Sequence, residues 1–226
     1  MPTTSARLVA ATCLVATALL STVSVLLQPE FAADPADRLA AMDESGTSGT
    51  ISLLTFVFAQ LPFLVAVVAI ALLARAASPR LSVAGGVLAT IGGFGHAVFG
   101  GIALAYLAMS SDVADRAVLA EVVTRVESGP ALVFMASGLL GTVIGLILLG
   151  IALFWSHVVP RWIPLSLWAF LVMEFVLTNF TEWASPMAAL LYLAAFGGIA
   201  VQLMRADGTT GGREHHELVG AGSAAN

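Results

Sequence analysis

The sequence predicts an all-α protein: a polytopic integral membrane bundle of six transmembrane helices, both termini on the cytoplasmic side. Three observations predict it. Charged residues fill only 10% of 226 positions and hydrophobic residues 59%, whereas a soluble domain carries roughly 25% charged residues. Six apolar stretches approach or exceed the ~20 residues that a helix needs to cross a bilayer core of about 30 Å. The arginines, finally, are shared unevenly between alternate connections.

The first stretch, 8–27, follows Arg7 and contains Cys13, the single cysteine. Its rival reading is a signal peptide ending near "FAADPA" at 31–36. An apolar run of this length exceeds the usual ~7–15 residues of a signal core, so it is read as a retained span. The connection 28–50 holds Glu30, Asp34, Asp37, Asp43 and Glu44 against Arg38. The second span is 51–74, with Gln60 and Pro62 near its centre, and the third is 81–109. In the connection that follows, Ser111 or Asp112 can cap a short amphipathic helix that Gly129-Pro130 ends. Val118, Leu119, Val122, Val123 and Val126 give it one apolar face, for the headgroup layer or as a lid on the bundle. The fourth span is 131–155. The fifth, 164–182, has the right length but carries Glu174, Asn179 and Glu182, and the sixth, 186–204, starts at Ser185-Pro186. Residues 1–205 thus form one domain, and 206–226 read as a disordered cytoplasmic tail.

With the N-terminus inside, Arg7, Arg75, Arg80, Arg161, Arg205 and Arg213 lie on the inner side and Arg38, Arg116 and Arg125 outside, as the positive-inside rule asks. Trp155, Trp162 and Trp183 fall near interfaces. The absence of lysine and the abundance of Ala, Val and Leu suit a GC-rich bacterium, and so a bacterial inner-membrane, multi-pass location. A net charge of −5 leaves no positive face for nucleic acid. No thiolate cluster or paired-cysteine redox motif exists, and no cofactor is expected. "HHE" at 215–217 has no surrounding ligands to make a metal site.

Small residues supply the packing surfaces. Gly85, Ala89, Gly92, His96, Gly100 and Ala103 recur at steps of three and four; Gly138, Gly141 and Gly145 repeat the device, and Ala194, Gly197, Gly198 and Val201 add a third stripe. Gly92, Gly100, Gly141 and Gly145 are the leading contact candidates, and a homo-oligomer or membrane-protein partner is a further use for such faces.

A polar layer crosses this apolar frame. His96 sits at the middle of its segment, Gln60 likewise, and Glu174 lies about 15 Å beyond Pro164 at 1.5 Å per residue. A charged carboxylate at that depth costs about 2.5–3.5 kcal/mol on insertion scales, so it should face the interior. Thr178, Thr181 and Glu182 continue one helical face from Glu174, with Asn179 nearby, as a polar track to one surface. Pro62 is expected to kink its helix beside Gln60. The candidate site is therefore Glu174, His96, Gln60, Thr178, Asn179 and Glu182.

Two uses of this layer compete. In one, the chain binds or transports a small solute, with Glu174 and His96 exchanging a proton. In the other, it is a structural or accessory subunit and the layer only locks helices together by hydrogen bonds. An intramembrane lipid-modifying enzyme has less support, because no HExxH, paired-aspartate or serine-nucleophile motif is present.

Overall fold

Helix starts are written into the chain. The Thr3 side chain accepts the Ala6 N–H at 3.3 Å and opens α1, Thr4–Leu27. Asp34 Oδ1 accepts from the Ala36 and Asp37 N–H groups at 2.8 and 3.2 Å, and Pro35 fits the first turn, so α2 begins there and runs Pro35–Ala74. Ser78-Pro79 starts α3, Pro79–Ser110. There follow α4 (Arg116–Ser128), α5 (Ala131–Ser156), α6 (Trp162–Phe175) and α7 (Ala184–Arg205). The computed structural model describes residues 3–29, 32–181 and 183–205, and among them there is no strand. Six helices, all but α4, are long and apolar enough to cross a membrane, α6 when joined to the 3₁₀ turn Leu177–Asn179 after it. The chain is an all-helical, multi-pass bundle.

Five expectations change. The acidic connection is not a loop: α2 starts at Pro35 rather than Ile51. Its break lies at Gly46 (φ 52°, ψ −123°), while Pro62 stays within helical dihedrals. The amphipathic helix starts at Arg116 without a cap from Ser111 or Asp112, and its inward face is Leu119, Val123 and Val126, with Val118 60% exposed. The fifth span stops being α-helix at Phe175, about 21 Å along at 1.5 Å per residue. The proposed helical face from Glu174 through Thr178, Thr181 and Glu182 is therefore not one face. Finally, the Gly and Ala stripe of the last span is divided: Gly198 packs on Trp162 and Ile163 of α6, whereas Ala194 and Val201 are exposed and a Cβ on Gly197 would meet nothing within 4 Å.

The two central helices touch through glycine. A Cβ on Gly141 would lie 2.7 Å from the Leu88 carbonyl and 2.8 Å from the Gly92 nitrogen, and one on Gly85 would lie 3.0 Å from the Gly145 carbonyl. Backbones this close need small residues, as membrane helices generally use them. Gly100 does not belong to this seam. It lies eight residues beyond Gly92, about 80° round a helix of 3.6 residues per turn. With Gly86 and Gly93 it faces α2, against Phe56 and Val57. Hydroxyls tie α1 to α2: Thr17 donates to the Ala59 carbonyl at 3.0 Å and Ser52 to the Ser24 carbonyl at 2.8 Å.

The core is aliphatic and aromatic, with Leu14, Val67, Ile70, Leu149, Leu167 and Phe196 fully enclosed. Outward faces are also apolar, as Leu19, Leu72, Val87, Leu140 and Leu190 show. That inversion suits lipid rather than water around the bundle. Val123 of α4, Leu39 of α2 and Tyr106 of α3 make a second small core, so α4 and the first segment of α2 together cover one end of the bundle.

Candidate functional site

Beneath that covered end lies a cavity of about 160 Å³ to which all six spans contribute. Phe56, Gln60 and Phe63 of α2 share one helical face at steps of four and three, and His96 of α3 stands beside Phe56 with ring centroids 5.7 Å apart. Phe170 and Glu174 share a face of α6 at i, i+4. Thr142 of α5 and Tyr192 of α7 close the ring. Glu174, His96 and Gln60, three residues singled out from sequence, thus line one space. Glycines seat the rings here: Gly138 carries no side chain where the His96 ring lies, and Gly93 and Gly100 let the Phe63 and Phe56 rings stay beside α3.

The polar partners are unevenly assigned. Gln60 Nε2 donates to the Phe56 carbonyl of its own helix at 3.0 Å. Among the described residues, neither the Glu174 carboxylate nor the His96 imidazole takes a hydrogen bond or an ion pair. The Thr142 hydroxyl is buried and without a partner.

Thr178 and Asn179 lie off the cavity lining. Thr178 Oγ1 donates to the Glu174 carbonyl at 2.6 Å and Asn179 Nδ2 to the Val176 carbonyl at 3.3 Å. Both satisfy carbonyls that the end of α6 leaves open, a local capping task. Glu182, like the 206–226 tail with its "HHE", lies outside the described residues.

Sequence reasoning missed the α1 wall. Thr17, Ser21, Ser24 and Gln28 follow at steps of four, three and four, so one face of α1 is polar from Thr17 to its C-terminal end. The signal was that spacing. It runs about 16 Å at 1.5 Å per residue, from the level of Thr17 to exposed Gln28 at the covered end. A second cavity of about 170 Å³ shares Ser24, Gln28 and Phe56 with the first and reaches Arg38, Met42 and Tyr106 under the cover. Arg38 is ion-paired to Glu127 of α4, and Arg116 of α4 to Asp43 at 3.0 Å. Two ion pairs therefore hold α4 to the hinged first segment of α2 above the cavities.

Among the described residues no group of three His, Cys, Asp or Glu side chains is placed to hold a metal ion. Comparison of the chain with protein-family models, with curated proteins and with solved structures finds no match.

Proposed function

We propose that the protein binds a small solute at the Glu174–His96–Gln60 cavity and passes it, with a proton, between the cavity and the α4 side of a bacterial inner membrane. The observation that carries this reading is Glu174: a carboxylate among six helices, lining a space instead of bonding to a neighbour. A layer that served packing alone would join Glu174 to His96 or Gln60, because a buried polar group left unbonded costs about 1–3 kcal/mol. Neither bond forms. An uncommitted acid in a membrane bundle is by default a site for an ion, proton or ligand. The arginines support the orientation: Arg7, Arg75, Arg80, Arg161 and Arg205 lie at the end opposite α4, as the positive-inside rule asks if α4 is outside and both termini are inside.

Access to the cavity tests the reading. In a Cys13→Ser background, Ser21→Cys is expected to react with a membrane-impermeant thiol reagent added on the α4 side and to stay unlabelled from the other. Glu44→Cys, on exposed chain, is the positive control. A Ser21→Cys protein inert from both sides while the control reacts would make the cavity a dry packing defect.

One observation favours a second reading, an accessory subunit. Gly197 and Val201 of α7 border a wide apolar groove with Ala11, Thr12 and Ala16 of α1, the kind of surface on which a partner helix packs.

A further inference from the structure

The cavity wall says what the solute is. Five rings line it, Phe56, Phe63, Phe170, Phe175 and Tyr192, and its one carboxylate is Glu174. No arginine is among the lining residues. Each ring carries a negative face, and a cation set against several of them and a carboxylate is attracted by all at once. An anion would meet repulsion from the same groups. A neutral apolar molecule would leave the acid without a partner, which is the arrangement that costs most in an apolar interior. The cavity is about the size of one known to hold benzene, about 150 Å³, so the ligand is compact and has few heavy atoms.

The approach has the same sign. The segment 34–44 at the covered end carries exposed Asp34, Asp37 and Glu44, while its Asp43 is paired with Arg116 and its arginine with Glu127. Such a field concentrates cations at the entrance.

Building on the solute-site reading, we infer that the ligand is a small organic cation of the alkylammonium class, with Glu174 as its counter-charge. The same carboxylate holds either the cation or a proton. Binding then exchanges the two: the neutral acid gives up H⁺ as the ammonium forms the ion pair, and charge in the cavity is unchanged. Two other titratable side chains face this space, His96 from α3 and Tyr192 from α7; those contributed by α1, α2 and α5 are hydroxyl, amide or apolar.

Binding to the detergent-solubilised full chain is measured with three probes of similar branched shape: tetramethylammonium, tert-butanol and pivalate. Tetramethylammonium is expected to bind at least about tenfold more tightly than either. Its affinity should fall at least about threefold from about pH 8 to about pH 4, as the carboxylate takes a proton. Glu174→Gln should abolish binding, Glu174→Asp keep part of it, and Phe175→Leu weaken it about three- to tenfold. Unfolding temperatures identify any variant that has lost its fold, in which case the Asp variant decides. If tert-butanol or pivalate binds as tightly as the cation, the cation assignment is overturned and the solute site stands. If affinity ignores pH or survives Glu174→Gln, Glu174 is not the counter-charge. If none of the three binds to a folded chain, the solute-site reading falls as well.

Discussion

His96 of α3 lies in the space that Gly138 of α5 leaves vacant: a Cβ on Gly138 would collide with the imidazole ring and stand 3.1 Å from the His96 backbone nitrogen. The histidine is seated by an absence of side chain on its neighbour, since no hydrogen bond holds it. Gly138→Ala should therefore destabilise by about 1–3 kcal/mol through overpacking. Adding His96→Ala removes the ring but not the nearby nitrogen, so the double variant should be more stable than the two single losses added, by at least about 0.5 kcal/mol. Reversible unfolding of the four proteins in detergent measures this. Strict additivity would mean that the ring is not the obstacle.

The glycines of the α3–α5 seam and those facing outward should differ sharply. Gly141→Ala sets a methyl 2.7 Å from a carbonyl oxygen and 2.8 Å from a backbone nitrogen, atoms that cannot rotate away. The helices must separate, and a loss of about 1–3 kcal/mol is expected. Gly197→Ala meets nothing within 4 Å and should leave the isolated chain's stability unchanged. Performed in native membranes, the same Gly197 change also examines the accessory-subunit reading. Loss of a co-purifying complex by a chain of unaltered stability would assign that face to a partner.

The legible parts of the molecule were those whose chemistry clashes with a bilayer. Glu174, His96 and Gln60 stand out in apolar runs, and equal depth along their segments brought them to one layer. Thr17, Ser21 and Ser24 did not stand out, because a hydroxyl can bond back to its own helix and sits in lipid at small cost. The first segment of α2 was hidden by its acids, although Asp34-Pro35 is a strong helix start. The end of α6 had no glycine or proline to mark it: Val176, at φ −118°, follows the last α-helical residue without any local sequence reason. Gly100 was set on the wrong seam because steps of three and four, summed over several turns, drift round the helix.

The cover should depend on its hinge and its half-buried ion pair. At Gly46 a side chain would meet nothing within 4 Å, yet φ 52° with ψ −123° is a conformation L-residues avoid. Gly46→Ala should cost about 1–3 kcal/mol by backbone strain alone. Glu127→Gln leaves Arg38, whose side chain is 12% exposed, with its contacts to the Ala32 and Ala33 carbonyls but removes its charged partner on α4. Faster amide exchange across Arg116–Ser128 is expected, with about 1–3 kcal/mol lost locally. Arg125→Gln breaks a pair exposed to 69% on both sides and should change exchange little. Equal effects from both changes would show that α4 is not held by the Arg38 pair.

Thr142 separates stability from binding most cleanly. Its Oγ1 is buried without a hydrogen-bond partner and its side chain lines the cavity beside Leu146. A hydroxyl that bonds to nothing in the protein is a cost of about 1–3 kcal/mol, and Val has nearly the same shape without it. Thr142→Val should thus hold or raise the unfolding temperature. If the hydroxyl instead holds a water beside the solute, the same change weakens tetramethylammonium binding, about threefold to tenfold for one neutral hydrogen bond of about 0.5–1.5 kcal/mol. Opposite signs in the two measurements mark a group retained for what enters the cavity. A fall in stability with binding intact would place Thr142 in the packing of α5 against α3, where the adjoining Gly141 already acts.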